Sequence, residues 1–190
     1  MLWSKVISFA LVSLALAHLQ TALQEESFSA CPANFTQVGE KCLMVDSMWK
    51  TWYEADRNCR SLSAGLVSVE NSVQLKLIQD WLPIAAQYTL EFWTSGNSLG
   101  SPGKYFWQNT GSSATYLPWA TDQPKTDAGD CLTLYANYSM ATGEFVIDVH
   151  RLRVNNCTLW AKSICEIEPK AYKTLVCLNS SAFYEAQIPV

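Results

Sequence analysis

Apolar positions change their pattern several times along this chain. An uncharged apolar run from Val6 to Ala17 follows Lys5. It is about twelve residues long, too short for a bilayer core that takes roughly 20, and Ala15-Leu16-Ala17 supplies the small-x-small pattern of a cleavage site. Residues 1–17 therefore read as a signal peptide, with Ala22 as the second candidate for cleavage, and residues 18–30 as an N-terminal segment. From Trp49 to Leu62 the residues Trp52, Ala55, Cys59 and Leu62 recur at helical spacing. This predicts an amphipathic helix ending near Gly65, with Cys59 toward the core. Leu66-Val67-Ser68-Val69 reads as a short strand. Asn71, with Gln74 three residues later, provides an N-cap and capping-box partner for a second helix. Its residues Val73, Leu77, Ile78, Trp81 and Leu82 share one face, and Pro83 is expected to stop it.

Strand-like runs follow at Phe92-Trp93-Thr94-Ser95, Tyr105-Phe106-Trp107, Cys131-Leu132-Thr133-Leu134-Tyr135, Glu144-Phe145-Val146-Ile147-Asp148-Val149 and Ser163-Ile164-Cys165-Glu166. Between them, residues 96–130 are rich in Gly, Ser, Pro, Thr and Asn. A loop system that long is a functional surface or a flexible insertion. Two early helices, later strands and one large polar loop define an α+β domain over residues 31–168. Residues 169–190 show no clear period and read as a C-terminal tail.

Composition narrows the function. The net charge of −4 and the absence of a Lys/Arg cluster give nucleic acid no footprint. No later segment is apolar for even a dozen residues, so no membrane anchor is expected and the product should be extracellular. Seven cysteines behind a secretory leader favour disulfides. A zinc site is the weaker reading, because no Cys-x-x-Cys pair exists and the only histidines are His18 and His150. Asn34, Asn137, Asn156 and Asn179 head glycosylation sequons. Asp148-x-His150 with a serine could outline a hydrolase triad, but a lone surface histidine is the simpler expectation, no strand elbow is expected, and the chain reads as no enzyme.

Several motifs together resemble the C-type lectin-like domain, in the form of the secreted arthropod members, over roughly residues 31–166. They are the helix Trp52-Tyr53-Glu54-Ala55-Asp56-Arg57-Asn58-Cys59, the strand Phe92-Trp93-Thr94-Ser95-Gly96, Trp107-Gln108-Asn109-Thr110-Gly111, Trp119 four residues before Gln123-Pro124, and Cys157 and Cys165 separated by seven residues. The resemblance implies two helices with two small antiparallel sheets and a long loop region. It also implies the pairing Cys31 with Cys42, Cys59 with Cys165, and Cys131 with Cys157. Cys177 is then left over, a candidate for a disulfide-linked dimer.

In the sugar-binding members, calcium sits between the long loop and a neighbouring strand, and calcium demands 6–8 oxygens. The family's Glu-Pro-Asn or Gln-Pro-Asp triplet falls on Gln123-Pro124-Lys125 here, the following acid on Gly129, and the Asn-Asp pair on Arg153-Val154. A lysine ammonium about 4 Å from a divalent ion costs roughly 8 kcal/mol at an effective dielectric near 20. No cofactor is therefore implied and calcium is disfavoured. Asp122, Asp127 and Asp130 could supply carboxylates in a shifted frame, since the loop looks about two residues short of the family length. Otherwise Lys125 or Arg153 would neutralise Asp127 or Asp130 in an ion pair that holds the loop. The expected ligand surface comprises Gln123, Lys125, Asp127, Asp130, Trp119 and Arg153, and the expected partner is a glycan or glycoprotein. The rival readings are calcium-independent protein recognition and an extracellular-matrix structural module.

Overall fold

The computed structural model describes residues 27–86, 91–139, 144–179 and 182–189. The leader at 1–17 lies outside them. In chain order the elements are β1 (Ser27–Ala30), β2 (Thr36–Val38), β3 (Lys41–Lys50), α1 (Trp52–Ser61), β4 (Gly65–Leu66), α2 (Ser72–Ala85), β5 (Glu91–Asn97), β6 (Phe106–Trp107), β7 (Ser112–Ser113), β8 (Cys131–Ser139), β9 (Glu144–Asn155), β10 (Ala161–Ile167), β11 (Lys170–Asn179) and β12 (Ala182–Pro189). The chain divides into two compact units, one of Cys31–Pro169 and one of Met1–Ala30 with Lys170–Val190.

In the larger unit, nine strands form one branched sheet in the order β2-β3-β10-β5-β6-β7, with β4 on β10 and with β8 joining β5 to β9. Two small antiparallel sheets were the expectation. The observed sheet is instead continuous, because β10 runs between β3 and β5 and pairs with β5 in parallel. The class, α+β, is as expected.

Helix α1 starts at Thr51, whose hydroxyl accepts from the Glu54 N–H while the Glu54 carboxylate accepts from the Thr51 N–H at 3.0 Å. These reciprocal bonds satisfy two end groups the helix cannot satisfy itself. Its buried stripe is Trp52, Ala55 and Cys59; Leu62 is the C-cap and lies 44% exposed, outside that stripe. Trp49 and Lys50, read as helical from sequence, belong to β3. Helix α2 is capped by Asn71 as expected, but Gln74 Oε1 accepts from Glu70 N–H, one residue before the cap. Its buried stripe is Leu75, Ile78 and Leu82, whereas Val73 is 67% exposed. Pro83 does not stop the helix. In the last turn a proline removes only its own donor, and Ala86 N–H still reaches Leu82 O at 2.8 Å.

Three disulfides are present with the pairing that the resemblance implies. The Cys59–Cys165 bridge spans 106 residues, which in the chain-entropy model is worth roughly 4–5 kcal/mol. It fastens α1 to β10. Cys59, Cys165, Cys131 and Cys157 form one core cluster with Trp52, Trp93 and Leu66, while Phe92, Trp107, Leu132, Leu134, Leu152 and Ile164 belong to a second.

In the smaller unit, β1 pairs with β11 and β11 with β12, all antiparallel. Residues expected to be a tail without period therefore lie largely in strands; the run Thr174-Leu175-Val176 favours extended backbone once a partner strand satisfies its amides. Cys177 lies in β11 opposite Tyr184, and its side chain falls outside the described residues.

Candidate functional site

The long loop is laced to the sheet at defined points. Ser98 N–H donates to Asp130 O at 2.8 Å and closes the loop's base. Further on, Leu152 N–H donates to Pro118 O at 2.8 Å and Ala120 N–H to Leu152 O at 2.9 Å, which lays Trp119 beside β9. Trp119 packs against the core and meets Tyr105 edge-on at 5.3 Å between ring centroids. Its first task is to anchor the loop.

Gln123 comes next, joined to Pro124 by a cis peptide bond. Its Oε1 accepts from Val154 N–H at 3.0 Å and from Lys125 N–H at 3.2 Å. The one amide oxygen left of the family's triplet thus caps two backbone donors. Gly129 has φ +146°, and a Cβ there would lie 2.4 Å from Asn155 O and 2.6 Å from the Asn156 Cα. Any side chain, a carboxylate included, is excluded while the loop lies against β9 as it does. Asp130 accepts from Ser98 Oγ at 2.8 Å. Nearby Tyr105, buried, has its phenol pushed above the usual pKa by burial first and by the Asp130 carboxylate second.

Lys125 and Asp127 are both exposed on the loop. The expected ion pair of Lys125 or Arg153 with Asp127 or Asp130 is not formed among the described residues. Arg153 instead lies with its guanidinium carbon 4.9 Å from the Tyr135 ring centre and its Nη1 3.9 Å from Glu91 Oε1. The physical reason is register: Thr133 faces Arg153 and Glu91 faces Tyr135, so β5, β8 and β9 bring these side chains together. Glu91 also accepts from Thr133 Oγ1 at 2.8 Å and from Asn155 Nδ2. Sequence reasoning missed Glu91; an acid opening an otherwise uncharged strand was the available signal.

Calcium does not fit this set. Gln123 is committed to backbone donors, position 129 admits no side chain, Val154 offers none, and Arg153 places a cation where an oxygen is required. Among the described residues no group of three His, Cys, Asp or Glu side chains could hold a metal ion.

No strand elbow was expected, yet Gly96-Asn97-Ser98-Leu99-Gly100 spells its Gly-x-Ser-x-Gly pattern. Its context is wrong for a nucleophile elbow: turns and β6 follow in place of a helix, and Ser98 is buried with its hydroxyl on Asp130. His150 is also no surface residue, being only 2% exposed, with burial lowering its pKa to about 4. Of the sequon asparagines, Asn34 and Asn156 are exposed, and the side chains of Asn137 and Asn179 fall outside the described residues.

The sheet, the bridges and the laced loop define a lectin-like recognition domain, and residues 49–167 match the family model described as Lectin C-type domain. This chain belongs to that family, whose members are non-enzymatic recognition proteins. It is 31% identical to C-type lectin 37Da of Drosophila melanogaster over 134 residues, 70% of each chain. It is 30% identical to ladderlectin of Oncorhynchus mykiss over 107 residues, 55% of this chain and 54% of that one. Among solved structures, a calcium-independent type II antifreeze protein has the same fold, with a TM-score of 0.61 at 22% identity, covering 75% of this chain and 97% of that one.

Proposed function

We propose that this chain is a secreted recognition module that binds a glycan without calcium, through its long loop and the adjoining ends of β8 and β9. The observation carrying this reading is the state of the loop's ligand positions: Gln123 Oε1 is spent on Val154 and Lys125 N–H groups, and Gly129 is pressed onto the backbone of Asn155 and Asn156. Binding must then rest on side chains. Lys125 and Asp127 offer a donor and an acceptor at the exposed loop, and the Tyr135 ring with Arg153 and Glu91 offers a face flanked by charged groups. The fold itself serves several recognition tasks, so the choice rests on the site. Secretion is supported by the leader sequence and by three bridges of the kind that an oxidising compartment favours. Among the described residues no helix is long and apolar enough to cross a membrane.

Glycan-array screening followed by calorimetry, in calcium and in EDTA, tests this function. The affinity for the best glycan is expected to agree within about twofold in the two buffers and to fall about tenfold in a Lys125→Ala/Arg153→Ala variant. Failure to bind any glycan, or binding abolished by EDTA, contradicts it.

A further inference from the structure

Away from the long loop, β3 ends beside the start of β10, with Lys50 paired to Ala161. Each of these residues is preceded by an exposed tryptophan, Trp49 at 54% and Trp160 at 63% exposure. Trp52, Trp93 and Trp107 are by contrast all buried. Indoles carry the largest apolar area of any side chain, so two left in water on one surface mark a binding site more often than chance. The two rings wall an open groove of about 370 Å³, a size that suits a small ligand. Its floor is one face of α1, where Glu54, Arg57, Asn58 and Ser61 follow the i, i+3, i+4, i+7 spacing.

The chemistry of that floor selects the ligand. The Lys50 ammonium at the groove's edge is 2.6 Å from Asp46, and Asp46 also accepts from Asn58 Nδ2 at 2.8 Å. One Glu54 oxygen accepts from the Thr51 N–H and hydroxyl. The second Glu54 oxygen, Asn58 Oδ1 and the Arg57 guanidinium make no hydrogen bond among the described residues, Arg57 acting on Glu54 through its charge alone. Lys50 and Arg57 balance Asp46 and Glu54, so the groove favours a neutral ligand. An apolar anchor of a protein partner would strip water from a carboxylate, an amide and a guanidinium without replacing their hydrogen bonds. A pyranose avoids that penalty, because its C–H faces pack on the indoles while its hydroxyls donate to the carboxylate and amide and accept from the guanidinium.

We infer that this groove is a second carbohydrate site, holding a neutral pyranoside between Trp49 and Trp160 with its hydroxyls on Glu54, Arg57 and Asn58. It is separate from the long-loop surface and stands independently of the function proposed for that surface. The test is proton–nitrogen correlation NMR of the full chain, titrated with N-acetylglucosamine, methyl α-mannopyranoside, methyl β-galactopyranoside and chitotriose. The indole N–H signals of Trp49 and Trp160, assigned through Trp49→Phe and Trp160→Phe, should move together and saturate with at least one of these sugars. Trp49→Ala or Trp160→Ala should weaken that binding about tenfold, the size of a lost stacking contact. Both variants should keep Tm within about 2 °C because the rings are exposed. Lys125→Ala should leave the two signals' response unchanged, which separates this groove from the long loop. The inference is overturned if no sugar of the panel moves these signals, or if the alanine variants bind as well. Shifts that follow protein concentration in place of sugar also overturn it, and would assign the indoles to a second copy of the chain.

Discussion

His150 sits in β9 with φ +50°, 2% exposed, its ring 6.2 Å from that of Phe92. Burial lowers its pKa to about 4, so it is neutral in the folded chain at physiological pH. In the unfolded chain the same group titrates near 6.5. Between those two values the unfolded state holds a proton that the folded state refuses, so stability falls as pH drops through this window and levels off below about 4. The slope should approach about 1.4 kcal/mol per pH unit. Urea midpoints measured from pH 7 to pH 4 should decline in the parent and decline less steeply in His150→Gln; equal slopes would show that His150 is not the group responsible. Single residues were also where the sequence said least. The identities of Lys125, Gly129, Arg153 and Val154 show that oxygens are lacking, but not that Gln123 turns onto β9 or that Arg153 goes to Glu91 and Tyr135. Those placements depend on strand register: β5 pairs with β8 and β8 with β9, which brings Arg153 to Glu91, about 60 positions away in sequence.

Among the elements, α1 has the clearest basis in local sequence. Its capping box Thr51-x-x-Glu54 uses both partners, and the Thr51 backbone and side-chain bonds, in that order, hold the Glu54 carboxyl below its usual range. Thr51→Ala should cost about 1 kcal/mol, lowering Tm by roughly 3 °C in thermal melts, with Thr51→Ser close to the parent. An unchanged Tm in Thr51→Ala would mean the cap is not limiting. Apolar spacing made both helices legible and the Asn71 cap placed the start of α2, whereas the start of α1 was read too early because the Thr51 cap was not recognised; α2 also buries Leu75, Ile78 and Leu82 where Val73 and Leu77 also fitted a stripe. β3 was not legible. Its buried Cys42 and Leu43 are adjacent, Ser47, Met48 and Trp49 are exposed in succession, and no period of two survives. The strands after Glu168 were missed for the same reason, since pairing partners and not an internal pattern define them.

At the scale of the whole molecule, the family is written in widely spaced residues: the three bridges, the tryptophans of α1, β5 and β6, and Gln123-Pro124. A fold with so many long-range pairings cannot be read from local propensity alone, and the motifs supplied what periodicity could not. The same fold leaves positions 123, 125, 129, 153 and 154 open to change, because they sit on a loop and a strand that the bridges and the core hold in place. The most direct measurement is calorimetric titration of the EDTA-stripped full chain with calcium, paired with melting curves at millimolar calcium. Loop positions built as they are here predict no saturable heat and a Tm unchanged within about 1 °C. A bound ion at 100 times its dissociation constant would add about 2.7 kcal/mol, a rise of several degrees, and a one-site isotherm with such a rise would contradict recognition without calcium.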